Sequence, residues 1–223
     1  MIAALFKALN QIPDPAFRLA IGRTLLFSLL LFASLLYAAW CLLSETQLFS
    51  WGWLEPIIDV LGWVAGLVAA FALFPGAALV IISFMLGPVA RAVEAKHYPD
   101  LGPPRHQPVS KAVWIGLQFA VIALLLNLIF LPLYFVPVLN VFVFGVLNGY
   151  LLGREYFELI ALRRLEPASV RPMWKRYRGR LWIAGMIITL LLSIPFVNWI
   201  MPVAAAAFML HIFENLRQQE SAT

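Results

Sequence analysis

Four stretches of this chain contain no aspartate, glutamate, lysine or arginine: residues 24–44, 60–90, 112–153 and 181–213. They are 21, 31, 42 and 33 residues long and together hold 127 of the 223 residues. An uncharged apolar run of about 18 residues or more reads as a membrane span. Charged residues make up 12% of the chain and apolar residues 63%, against about 25% and 45–50% in soluble domains. A disordered chain, a disulfide scaffold and a free cytosolic enzyme are therefore excluded. The expected fold class is an all-α integral membrane protein, forming one membrane domain over residues 1–223.

The basic residues set the orientation. Lys7, Arg18 and Arg23 precede the first run, and the segment 45–59 holds Glu45, Glu55 and Asp59 but no lysine or arginine. Four basic residues lie in 91–111, eight in 154–180 and one, Arg217, in the tail. The first two runs are thus expected to span fully, with the N-terminus inside and 45–59 outside. The third and fourth must leave the inside and return to it. The net charge of +5 fits basic loops at an anionic inner surface, not nucleic acid. The first run is too long for the core of a signal peptide. Cys41 is the single cysteine, so no internal disulfide forms.

Asp14 is a good N-cap and Pro15 suits a first helical position, so the first long span is placed at about 15–44. Residues 45–59, with Trp51 and Trp53, read as an interfacial segment. Pro56 opens a second long span to about residue 97, interrupted at Pro75-Gly76 and carrying a Gly62/Gly66 pair suited to close packing. Residues 98–111 form a proline-rich inside linker. Hairpin one is expected at about 112–165 and hairpin two at about 181–217.

The two hairpins share a pattern. Val136-Pro137-Val138-Leu139-Asn140 aligns with Ile194-Pro195-Phe196-Val197-Asn198 at an offset of 58 residues, a short internal repeat. Leu181 to Ile194 spans about 21 Å as helix, too little to cross a core of about 30 Å. Two readings follow: ordinary full-span hairpins, or hairpins that penetrate only part of the bilayer. The second is favoured for 181–213. Asn140 and Asn198 are expected to cap the return helices and to aim helix N-termini at depth, where an anion is favoured. Gly145, Gly149 and Gly153 form a small-residue stripe expected to serve packing.

No P-loop, HExxH, CxxC or GxSxG is present, so neither an enzyme, a cofactor nor a metal site is expected. What remains is polar chemistry at the inner helix ends. Arg18 and Arg23 lie at the start of the first span, where free N–H groups and the helix dipole favour an oxyanion. Five residues of helix separate them by about 140°, so they do not share a face; the alternative is that both simply anchor to lipid headgroups. Arg154 and Glu158 are spaced to pair. Arg176 and Arg180, within Trp174–Arg180, are candidate anion contacts or simple interfacial anchors.

The chain resembles the CysZ sulfate permease family of bacterial inner-membrane proteins, which shares a domain with a eukaryotic membrane protein linked to apoptosis and autophagy. The resemblance lies in Pro15-Ala16-Phe17-Arg18, in Tyr150, Tyr156, Arg163 and Arg164, in Gly179-Arg180, and in Ile194-Pro195, Asn198 and Pro202 followed by Ala204–Ala207. It implies two long transmembrane helices and two partly penetrating hairpins. It also implies a multi-pass homo-oligomer in the inner membrane that takes up sulfate, without ATP hydrolysis, for cysteine biosynthesis. By resemblance, Ala16, Phe17 and Arg18 match a sulfate-binding opening; Ala16 stands where the family has glycine and Leu19 where it has a second arginine. Arg23 is a candidate substitute. The expected partners are sulfate or a related oxyanion, membrane lipid and further copies of the chain. The alternative is a non-transporting membrane interaction or scaffold protein of the same family.

Overall fold

A computed structural model describes residues 1–45, 86–105 and 135–221, with Gly62, Val64 and scattered positions between 114 and 133. Regular structure among them is entirely helical. The helices are α1 (Ile2–Asn10), α2 (Pro15–Glu45), α3 (86–97), α4 (Pro137–Ala161), α5 (Pro167–Leu192) and α6 (Val197–Ser221). The described positions from 114 to 133 are helical. The interfacial segment 46–59, Gly66, Pro75-Gly76 and the linker beyond residue 105 lie outside the described residues.

The start of α2 falls where the proline predicts, and Arg18 N–H donates to the Asp14 carbonyl at 2.9 Å. Its stretch Pro15–Ala38 is long and apolar enough to cross a membrane, and most of it is unburied by the rest of the chain. Among the described residues its first turns dock inward, through Phe17 and Ala20. Helix α1 is not foreseen by the charge pattern. Its signal is a small-residue face: Ala4 and Ala8, one turn apart, are buried, while Ile2 and Phe6 are exposed.

The centre of the fold is α6. From Met201 to Leu216 nearly every residue is buried, including Ala204–Ala207. A helix that is apolar all round must be covered all round, and α1, α2, α4 and α5 all pack on it. The alanines let those neighbours come close. Tyr156 of α4 is fully buried, and its hydroxyl donates to the Pro202 carbonyl at 3.4 Å.

The main helix pair is α4 with α5, and the glycine stripe explains it. A methyl on Gly149 would fall 3.1 Å from the Met186 backbone, and one on Gly153 would fall 2.5 Å from the Leu181 carbonyl oxygen. Gly145, by contrast, has open space around it. Packing is thus the role of Gly149 and Gly153, joined from the other side by Gly185. Helix α5 begins at Pro167 and reaches Leu192 as one 26-residue element, with non-helical angles at Tyr177. The charged segment 174–180 is therefore the lower part of the same helix that carries the short apolar limb.

Both aligned turns precede a helix, but with different geometry. In the first, Pro137 opens α4 and Val136 is the N-cap, with no side-chain capping bond. Asn140 lies one turn inside, its N–H bonded to the Val136 carbonyl at 2.8 Å. In the second, α6 opens two residues after the aligned proline, and Phe196 adopts φ 67°. The expected capping by Asn140 and Asn198 is therefore corrected. Proline fixes the first turn and a left-handed residue fixes the second, which puts both asparagines inside their helices.

Candidate functional site

The start of α2 is set by its neighbours. Phe17 and Ala20 bury one face of the first turn, which locks the helix register. Arg18, about 100° from Phe17 around the helix, is consequently turned out. Ala16, Arg18 and Arg23 are all exposed, and neither arginine forms an ion pair among the described residues. Proline has no N–H, and the amides of Ala16 and Phe17 have no backbone acceptor among the described residues. The nearby carboxylate of Asp14 would repel an anion, but Lys96 of α3 pairs with it at 2.8 Å. The result is a helix end with an open amide donor at Ala16, one outward guanidinium and a neutralised acid.

Phe17 itself is fully buried, backbone included, so it serves packing and its amide is shielded from the surface. Arg23 lies further along α2, on a different face from Arg18.

Helix α3 ties this helix end to a second charged cluster. Ala92 accepts a bond from the buried Gln11 side chain at 3.1 Å. Two residues from Lys96, Glu94 reaches the turn between α4 and α5, pairing with Arg164 at 2.9 Å and Arg163 at 3.4 Å. Arg164 also donates to the Gly102 carbonyl, and Arg105 N–H to the Arg163 carbonyl at 2.9 Å. Arg91 and Arg163 converge over Gly87. Two guanidiniums thus pair with one carboxylate, and a third, that of Arg91, lies beside Arg163. Burial pulls the Arg163 guanidinium below its ordinary value; Glu94 opposes this, while Arg164 and Arg91 reinforce it. The Nε atoms of Arg163 and Arg164 are buried without a partner. This cluster is absent from the sequence reading. Its signal is that Glu94 is the single acid between Asp59 and Asp100, in a chain that later carries an arginine doublet.

The other candidate positions are spread apart. Arg176 pairs with Glu220 of α6 at 3.2 Å, and Arg180 donates to Gln219 at 2.9 Å. These contacts dock the lower part of α5 on the end of α6. Asn140 is half-buried and Asn198 exposed, each in the first turn or so of its helix. Arg154 and Glu158 do pair, at 3.7 Å.

A polar knot closes the α3–α6 junction. The Tyr98 hydroxyl lies 2.9 Å from His211 Nδ1, and the His97 and His211 rings meet edge-on at 4.9 Å. Burial raises the Tyr98 phenol to about 12, with Glu214 adding to the effect. Burial lowers the His97 imidazole, with Lys7 and Lys96 reinforcing and Asp14 opposing.

Against this geometry, residues 4–202 match the family described as Sulfate transporter CysZ/Etoposide-induced protein 2.4. The chain belongs to that family. The match covers the open helix end, the α3 strut, the Glu94–arginine cluster and both hairpin turns, and it ends within α6. It is a transporter family, which places sulfate transport and a membrane setting at the family level. No curated protein matches the chain.

Proposed function

We propose that the chain carries sulfate across the bacterial inner membrane as an ATP-independent channel or permease that supplies cysteine biosynthesis. The observation that carries this reading is the start of α2. There the amide of Ala16 and the guanidinium of Arg18 are open, and Lys96 has neutralised the adjacent Asp14. Sulfate is a dianion with tetrahedral oxygens. Backbone N–H groups at a helix start and a forked guanidinium match it without any proton transfer. Arg18 is the first ligand and Arg23 a second cation further along α2. Arg163 and Arg164, paired with the single carboxylate of Glu94, and the neighbouring Arg91 supply surplus positive charge that draws anions toward the inner end.

The hairpins belong to the same reading. Their tips expose apolar residues, with Phe135 81% and Phe196 78% accessible. Such side chains suit an apolar surrounding, and we place both tips within the bilayer, covered by lipid or by further copies of the chain. A homo-oligomer is the proposed assembly, since the chain's apolar faces, above all the outer face of α2, need a cover.

Equilibrium binding of radiolabelled sulfate to purified protein tests the site. Arg18→Ala is expected to weaken binding about ten-fold or more, the loss of one charge-assisted contact, while the protein still inserts and assembles. Unchanged affinity in that variant removes the assignment.

A further inference from the structure

Two recesses meet along the outer face of the α4–α5 pair. The upper one, about 450 Å³, is walled by apolar and aromatic side chains, among them Phe130, Phe142, Val146 and Trp182. The lower one, about 440 Å³, lies toward the α4–α5 turn and is rimmed by Arg171, Lys175 and Arg178, with Phe157 and Trp174 on its wall. Tyr150 lines both, so they form one groove.

The groove is apolar at one end and cationic at the other. Arg171, Lys175 and Arg178 all line the lower recess, Arg178 from just beyond the kink at Tyr177. All three are exposed, and none forms an ion pair among the described residues. The other basic residues of this stretch, Arg176 and Arg180, turn to α6 instead. Glu158 also lines the lower recess, but Arg154 pairs with it. The rim therefore presents a net surplus of positive charge. At the junction, Trp174 packs against Tyr150 at 5.9 Å and Phe157 at 5.8 Å. Tyrosine and tryptophan favour the level of the lipid headgroups. The Trp182 indole N–H is already satisfied by the Val146 carbonyl at 3.1 Å, which leaves its ring as apolar wall. From Phe142 to Glu158 the groove runs about 24 Å along α4, close to the depth of one leaflet, about 20–22 Å with its headgroups.

We propose that this groove is a binding site for one glycerophospholipid with a net anionic headgroup. The phosphate sits among Arg171, Lys175 and Arg178, and an acyl chain lies along Val146 and Trp182. A zwitterionic lipid brings its own ammonium to the same rim and binds less well. A free phosphate lacks the chain that the upper recess accommodates.

The test is native mass spectrometry of the full chain released from micelles doped equally with phosphatidylglycerol and phosphatidylcholine. The wild type is expected to retain one phosphatidylglycerol in preference to phosphatidylcholine. The triple variant Arg171→Gln, Lys175→Gln, Arg178→Gln is expected to retain it about 100-fold less, three basic residues near a lipid surface each contributing about 1 kcal/mol. The double variant Arg176→Gln, Arg180→Gln removes charge from the same helix but off the groove, and it is expected to retain the lipid as the wild type does. Equal retention of the two lipids overturns the proposal, as does a comparable loss in the double variant. Displacement of the lipid by millimolar inorganic phosphate also overturns it, because the site would then take a free oxyanion. Circular dichroism of each variant confirms that the helices persist.

Discussion

Gly185 of α5 and Gly153 of α4 meet backbone to backbone. A methyl on Gly185 would fall 2.7 Å from the Gly153 Cα and against the Gly149 carbonyl oxygen. No side-chain adjustment relieves that contact, because the obstructing atoms belong to the main chain. Gly185→Ala is therefore expected to cost about 3 kcal/mol or more, at or above the usual range for overpacking. Gly145→Ala meets open space and is expected to be neutral or slightly stabilising. Thermal melting in detergent separates the two, and equal effects would contradict the packing account.

The charge at Glu94 faces more partners than it can balance. Glu94→Gln leaves Arg163 and Arg164 without their carboxylate in a largely buried place, and it is expected to cost about 3–5 kcal/mol. The exposed pair of Arg105 with Glu166 at 3.1 Å gives the comparison. Arg105→Gln is expected to cost about 1 kcal/mol or less. The same melting experiment reads both.

Some of this was legible in the sequence for plain reasons. The start of α2 followed from a proline after an aspartate. The pairing of Arg154 with Glu158 followed from helical spacing. The packing role of Gly149 and Gly153 followed from a four-residue small-side-chain stripe. What escaped depends on long-range contacts. Glu94 meets Arg163 and Arg164 from about 70 residues away, and no local pattern brings them together. Gly185 has no stripe of its own and is defined only by α4. Helix α1 is short and was hidden in a segment read for its charge. The asparagines in the two turns were misplaced because Pro137 and the left-handed Phe196, not a side-chain cap, decide where α4 and α6 begin.

The α3–α6 junction predicts a pH dependence. His97 faces Lys7, Lys96 and Asp14, with His211, Tyr98 and Glu214 in the same knot. Its imidazole is lowered by burial, so the unfolded chain takes up a proton before the folded one does. The stability it contributes is present above pH about 6.5 and is lost as pH falls below that value. The melting temperature of the wild type is expected to drop between pH 7 and pH 5, and His97→Phe is expected to lessen that drop, His211 in the same knot keeping its share. An unchanged slope in the variant would assign the pH effect to other groups.

The position of the second hairpin tip can be read by labelling. Cys41 is the single native cysteine, so Phe196→Cys in a Cys41→Ser background places one thiol at the tip. In proteoliposomes it is expected to react at least about ten-fold more slowly with a membrane-impermeant maleimide than after detergent solubilisation, since hydrocarbon excludes the charged reagent and the thiolate. Equal rates would place the tip in water.

The proposed function is that this chain moves sulfate through a site at the start of α2. Radiolabelled sulfate uptake into proteoliposomes tests it most directly, comparing wild type with Arg18→Ala, with chloride and phosphate as competitors and with and without an imposed pH gradient. The account predicts saturable, sulfate-selective uptake that needs no ATP and falls about ten-fold or more in the variant, the loss of one charge-assisted contact. Wild-type uptake no greater than that of empty liposomes, from protein shown to be folded and inserted, would contradict it and favour a non-transporting interaction protein.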